Sequence, residues 1–284
     1  MTVRITHLTD PAASATSRRL AWVATAGDGR PLGVAFLRVP TAGGSAELDV
    51  QVHPSERRAG VGTRLLEAAG EAARSIRTVP VPEDSPAAHF CRARGMRQVL
   101  ALTFTRLSLS EAPTEPGDPP AGYRMVHWDG RVPADLAETY ARSRRAMDDM
   151  PMDDADYVPP VWDVDRLHAA AAAVESRGEL LCTTAALAAD GEIAGFTEVV
   201  IPAGHRGDAE NYGTGVLPEH RGRGLALHLK RASIAHVRSR FPALAGLLAD
   251  TADSNASMRH INETLGYRPT HRSLLYQLDL PPAS

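Results

Sequence analysis

The sequence predicts an α/β fold in two domains, and three observations support that expectation. At 284 residues the chain exceeds what one small core usually organises, so two domains of roughly 140 residues each are expected. In each half, β-branched and apolar runs bounded by turn residues alternate with helix-period segments, which implies a mixed sheet with helices packed on it. A string beginning at Val52, VHPSERRAGVGTRLL, recurs without gaps from Val216 as VLPEHRGRGLALHLK.

The elements follow in order. Strands are expected at 20–25, 32–39 and 46–53, separated by the turn-forming GDGR and TAGG, then helices over 61–75 and 86–94 and a strand at 100–109. Residues 111–122, EAPTEPGDPPAG, are Pro-rich and acidic without apolar periodicity, and so form the expected linker between domains of residues 1–110 and 123–284. The second half gives a strand at 123–127, helices at 134–147 and 164–176, and strands at 180–188, 192–201 and 210–217. A helix at 225–239, a strand at 246–250, a helix at 256–265 and a strand at 273–280 complete it. Between its first two strands the second half has room for two helices, where the first half offers only the span 9–19, so the first copy is expected to be truncated there.

Composition removes several classes of function. With 43% apolar and 23% charged residues, and no apolar run approaching the roughly 20 needed to cross a bilayer, a soluble globular protein with no membrane partner is expected. The start, MTVRITHLTD, lacks a basic region followed by an apolar one, which makes the cytoplasm the expected address. A net charge of −3 supplies no field for nucleic acid, favouring a small-molecule or peptide substrate. Cys91 and Cys182, the only two cysteines, fit packed reduced thiols, not a disulfide framework, and no metal site is expected. Lys230 is the sole lysine among 31 basic residues; this excess of arginine reads as codon bias of a GC-rich bacterial genome.

In both repeated strings an apolar strand runs into a Pro-marked turn, a basic Gly-rich turn and an amphipathic helix. First-turn amides have no partner inside their helix and carry the positive end of its dipole, so such a turn accepts a pyrophosphate. Gly222 and Gly224 let the backbone approach phosphates, and Arg221 and Arg223 add charge. A dinucleotide fold would need G-x-G-x-x-G after a first strand, and a Walker loop would need G-K-[ST]; neither occurs. The form V-x-P-x-x-R-x-x-G-x-[GA] resembles the acetyl-CoA pyrophosphate loop of the GCN5-related N-acetyltransferase (GNAT) superfamily, and the whole chain is similar to a tandem member of it. The resemblance implies two GNAT-like domains, each a mixed, mostly antiparallel twisted sheet flanked by helices, the first degenerate and the second catalytic. It also implies acetyl-CoA as co-substrate, held by Val216, Leu217, Arg221, Gly222, Arg223, Gly224, Leu225 and Ala226.

Downstream, ADTADSNASMRHINETLGYRP is similar to the family's next helix, which places Asn255 beside the pantetheine and ends the helix at Gly266-Tyr267. Asn255 is equally a good N-cap and Gly266 a good residue to follow a helix. The first copy keeps a weakened version, SPAAHFCRARGMRQ, with Ser85 in place of the asparagine. Where many members carry a tyrosine that protonates the departing thiolate, this chain has Asn262, and Cys91 in the first copy, which leaves Asn262 to orient the thioester or hydrogen-bond to it. An amine of pKa about 10 needs a general base. Family members that use a strand carboxylate place it eleven residues before the loop arginine, here Glu210, with Tyr212 on the same strand face; Ala46 stands there in the first copy, and Glu198 is the reserve candidate. The acidic run DDMPMDDADY, 148–157, is expected to wall the acceptor pocket and draw in a cationic amine. The expected reaction is direct transfer of acetyl to a primary amine of a small molecule or peptide in a ternary complex, by a monomer or homodimer. Two other readings stay open: a non-catalytic acyl-CoA-binding or scaffolding pair, and a narrower acceptor, either an aminoglycoside-like antibiotic or the cysteinyl amine of a thiol cofactor, as in mycothiol synthase.

Overall fold

The computed structural model describes residues 3–8, 17–41 and 43–280. They fall into two compact units: one takes the chain up to 102, 152–158 and the residues from 272, and the other takes 103–151 and 159–271. Among the described residues no helix is long and apolar enough to cross a membrane.

In the first unit β1 (Arg4–Leu8), β2 (Ser17–Thr25), β3 (Pro31–Pro40) and β4 (Ala46–Val52) pair antiparallel in that order, and β5 (Ser75–Thr78) joins β4 in parallel. Residues 277–279 of the chain's last strand pair antiparallel with β5, and 273–274 pair with the short β6 (Val81–Pro82). Helix α1 (Val61–Gly70) lies on one face, burying Val61 and Leu65 against Trp22, Leu37 and Ile76. Helix α2 (Pro86–Ala93) packs Ala88 and Cys91 against Val81, Leu274 and Tyr276. On the face away from α1, Leu8 and Phe36, aligned through Ala21, each stay 43% exposed. The segment 9–16, where the truncation was read, lies outside the described residues. The helix expected over 61–75 ends at Gly70 instead, because Ile76 is fully buried and residues 76–78 pair with 46–48.

Strand β7 (Arg97–Ser108) begins in the first unit and finishes in the second. There β8 (Tyr123–Asp129), β9 (Leu180–Ala188), β10 (Ile193–Ile201) and β11 (Gly207–Val216) pair antiparallel in order. Strand β12 (Leu244–Ala252) runs parallel to β11 and has β7 as its other neighbour. Helices α3 (Ala137–Ser143) and α4 (Val164–Glu175) cover one face, where Tyr140 and Leu167 meet Ala185 and Phe196. The other face carries α5 (Leu225–Arg240), whose Leu229 packs on Ala186 and Ala194 and whose Ile234 and Val237 join Ala209 and Leu247. Helix α6 (Ala256–Thr264) leads into β13 (Arg268–Asp279). The helix expected over 134–147 is shorter: α3 gives way to a 3-10 turn at Arg144–Met147. Each unit thus has a mixed, mostly antiparallel sheet flanked by helices.

Two irregularities mark β11. Its parallel ladder with β12 covers only 207–210 against 244–248, so among the described residues that edge of the strand has no strand partner beyond Glu210. Opposite β10 the register shifts between Glu198 and Val199, which pair with Gly213 and Asn211 and leave Tyr212 as the extra residue of a bulge.

Candidate active site

The turn after β11 is shaped by two glycines and leads into an uncapped helix start. Gly222 (φ 74°) and Gly224 (φ 73°) both take the left-handed conformation, which an L side chain rarely adopts. No side chain caps the first amides of α5, so they point free at the end of β11. In the first unit Gly60 (φ 80°) matches Gly224, and Arg58 takes φ 66° where the second copy has Gly222. The same loop conformation is therefore kept there against the strain of a Cβ.

The loop arginine first braces the turn. Arg221 donates its Nε–H to the Val216 carbonyl at 2.9 Å, as Arg57 does to Val52 at 3.3 Å. The Arg221 guanidinium then reaches Asp149 through two bonds of 2.6 and 2.8 Å, which holds that carboxyl below the usual range. Arg145 and Glu219 form a second ion pair between the same two segments. Arg223 donates to the Tyr123 hydroxyl at 2.6 Å, and that hydroxyl meets His220 Nδ1 at 2.9 Å. Leu225 is buried beneath the loop, Ala226 is half-buried, and the Leu217 amide bonds the Ala194 carbonyl at 2.9 Å.

Asn255 caps α6, its Oδ1 accepting from the Met258 amide at 3.1 Å, and Gly266 follows the helix at φ 92°. Asn262 is 2% exposed; its Nδ2 donates to Thr251 Oγ1 at 3.1 Å, while its Oδ1 is buried without a partner. Glu210 is exposed where the parallel ladder ends. Tyr212, 51% exposed, accepts from Arg177 at 3.1 Å. The reserve base candidate, Glu198, is committed elsewhere. One of its oxygens accepts from the Tyr140 hydroxyl at 2.6 Å and the other from Arg144 at 2.7 Å. Arg144 in turn lies 4.1 Å from the Trp162 ring centroid and 4.5 Å from that of Phe196. Burial, reinforced by the Glu198 charge, drives the Tyr140 hydroxyl well above its usual range. The acidic run divides: Asp149 engages Arg221, whereas 152–158 belongs to the first unit, where Asp154 bonds Val99 and Asp156 bonds Ser45 and Gln277.

Comparison with known proteins agrees with this geometry. Residues 17–96 match the acetyltransferase (GNAT) domain, and residues 144–267 match the acetyltransferase (GNAT) family. A mycothiol acetyltransferase of Nocardia farcinica is 30% identical over 252 residues, spanning 88% of this chain and 80% of that one. The chain is a tandem GNAT acetyltransferase. A mycothiol acetyltransferase of Thermomonospora curvata is 29% identical over 258 residues, 89% of this chain and 81% of that one. Among solved structures, the tandem GNAT protein from the clavulanic acid biosynthesis pathway, without AcCoA, superposes with a TM-score of 0.76 at 26% identity, over 96% of this chain and 86% of that one.

The two GNAT copies differ around their loops. In the first unit a groove of about 1060 Å³ opens beside the loop, lined by Gln51, Val52, Arg57, Gly60, Ser85 and Phe90. Ala46, at the position of Glu210, is buried, and Cys91, at the position of Asn262, is a buried free thiol that burial pushes up to about 11. Among the described residues no cluster of His, Cys, Asp or Glu forms that could hold a metal ion. Sequence reasoning missed the Glu198–Arg144–Tyr140 cluster, and it noted Lys230 as the sole lysine but read that only as codon bias, not as the mark of a lysine buried in α5.

Proposed function

We propose that the second GNAT copy transfers acetyl from acetyl-CoA to a primary amine of a small molecule or peptide, cationic amines among them, by direct attack in a ternary complex. The observation that carries this reading is the junction of three features at one end of β11: a strand edge free beyond Glu210, a backbone anion site at Gly222 and Gly224, and an exposed carboxylate, Glu210, at the edge's start. The pyrophosphate would rest on the first amides of α5, with Val216, Leu217, Arg221, Arg223, Leu225 and Ala226 shaping the loop and Asn255 beginning the helix beside the pantetheine. The free edge would pair with the pantetheine as an added strand. Glu210 takes the proton from the attacking amine, directly or through one water, the amine nitrogen bonds the acetyl carbon, and CoA leaves as thiolate. Asn262 keeps an unpartnered Oδ1 at the position of the usual acid, which suits a group that orients the thioester.

The relatives named mycothiol acetyltransferase favour the cysteinyl amine of a thiol cofactor as the first acceptor to try. The open groove of the first unit favours a second reading, in which that copy also holds an acyl-CoA without the base needed to use it. Incubation with labelled acetyl-CoA and a panel of cysteinyl amines, aminoglycosides, polyamines, amino acids and peptides tests the proposal. Acetylation of one amine class supports it, and acetyl-CoA turnover with none of them counts against it.

A further inference from the structure

Lys230 is buried to 3% exposure on the inner side of α5, six residues after Gly224, in a chain whose other basic residues are all arginine. No carboxylate pairs with it among the described residues: the Asn211 side-chain oxygen accepts from its Nζ, which also lies 5.0 Å from the centroid of the buried Tyr267 ring. Burial alone brings this amine from 10.5 to about 7. Tyr267 presents its ring to the amine, and burial keeps its hydroxyl protonated. Arginine could not take this place, because it does not give up its proton.

The reason for an amine here lies in the bulge. The register shift at Tyr212 leaves the Glu198 carbonyl to be satisfied by a side chain, and Asn211 Nδ2 donates to it at 2.7 Å and to Thr197 Oγ1 at 3.2 Å. That commits Asn211 with its own oxygen turned inward, where a buried acceptor without a donor is costly. Lys230 supplies the donor. The chain of contacts ends on the residue that follows Glu210 and opens the free edge of β11.

We propose that Lys230 is a positioning residue of the acetyl-transfer site, holding Asn211 and through it the bulge that sets Glu210 and the free strand edge. The proposal rests on the second copy being the working one. The sole lysine gives a clean probe, because protein labelled with [13Cε]lysine shows a single resonance. That resonance titrates with a midpoint about 7 in the free enzyme. Acetyl-CoA, lying along the edge, moves the midpoint, and adenosine 3′,5′-bisphosphate, which reaches only the loop, does not. Lys230→Met and Asn211→Ala each lower kcat about tenfold or more on the accepted amine with acetyl-CoA affinity within threefold, and the double variant loses no more than either alone. A midpoint near 10.5, a midpoint indifferent to bound acetyl-CoA, or full kcat in Lys230→Met overturns the proposal. If folded Gly224→Val still transfers acetyl at the wild-type rate, the assignment of the site to the second copy falls as well. A midpoint that ignores acetyl-CoA, in a protein whose acetyl transfer Gly224→Val abolishes, removes the role of Lys230 alone.

Discussion

Replacing Lys230 by methionine removes a pH dependence that burial of this amine imposes on folding. Between about 7 and its ordinary 10.5 the unfolded chain holds a proton on Lys230 that the folded chain does not. Stability rises with pH wherever the unfolded state binds more protons. The contribution is therefore fully present above 10.5 and is lost as pH falls to about 7, below which the folded protein buries a charged ammonium. At about 1.4 kcal/mol per pH unit the whole span amounts to about 5 kcal/mol, of which about 3 kcal/mol falls between pH 7 and 9. Tyr267 acts in the opposite sense, because burial pushes its hydroxyl up and its contribution is lost only above the ordinary tyrosine value of 10, so pH 7 to 9 is the range to use. Urea unfolding of the wild type and of Lys230→Met at pH 7, 8 and 9 gives the comparison. The wild type gains about 1.4 kcal/mol per pH unit relative to the variant, over and above the pH-independent cost to the variant of leaving the Asn211 oxygen without its donor. Parallel lines for the two proteins would show that Lys230 is protonated in the fold and that the argument from burial is wrong.

Three further outcomes are expected. Glu198→Ala strands the Arg144 guanidinium against Trp162 and Phe196, costing about 3–5 kcal/mol and lowering Tm by roughly 10 °C; an unchanged melting curve would mean the buried pair contributes nothing. Glu210→Gln lowers kcat roughly 10²-fold with little change in acetyl-CoA affinity, and steady-state kinetics that match the wild type across pH would remove Glu210 from the mechanism. CoA at about a hundred times its Kd stabilises the protein by about 2.7 kcal/mol, seen as a rise in Tm that is absent with adenosine alone; no rise with CoA would count against a CoA site in either copy.

The loops were legible in the sequence because their conformation depends on residue type: left-handed turns ask for glycine, and Gly222, Gly224 and Gly60 stand where the backbone requires it. The order of strands and helices followed from alternation and turn residues in the same way. What was hidden depended on tertiary contact. Residues 71–75 have helix formers, yet the strand they precede is set by pairing with residues 46–48. The acidic run looked like one loop, and its division follows from Asp156 bonding Ser45 and Gln277 while Asp149 bonds Arg221, partners distant in sequence. The bulge at Tyr212 has no local signature, so the need for a donor at position 230 could not be read before the strands were paired.

The central claim is that acetyl transfer runs at the loop of the second copy, and single-turnover transfer from [14C]acetyl-CoA by Gly224→Val tests it most directly. A valine at this left-handed position closes the approach to the first amides of α5, so the account predicts that the folded variant loses transfer by roughly 10²-fold or more, with its circular dichroism unchanged. Transfer at the wild-type rate by folded Gly224→Val would contradict it.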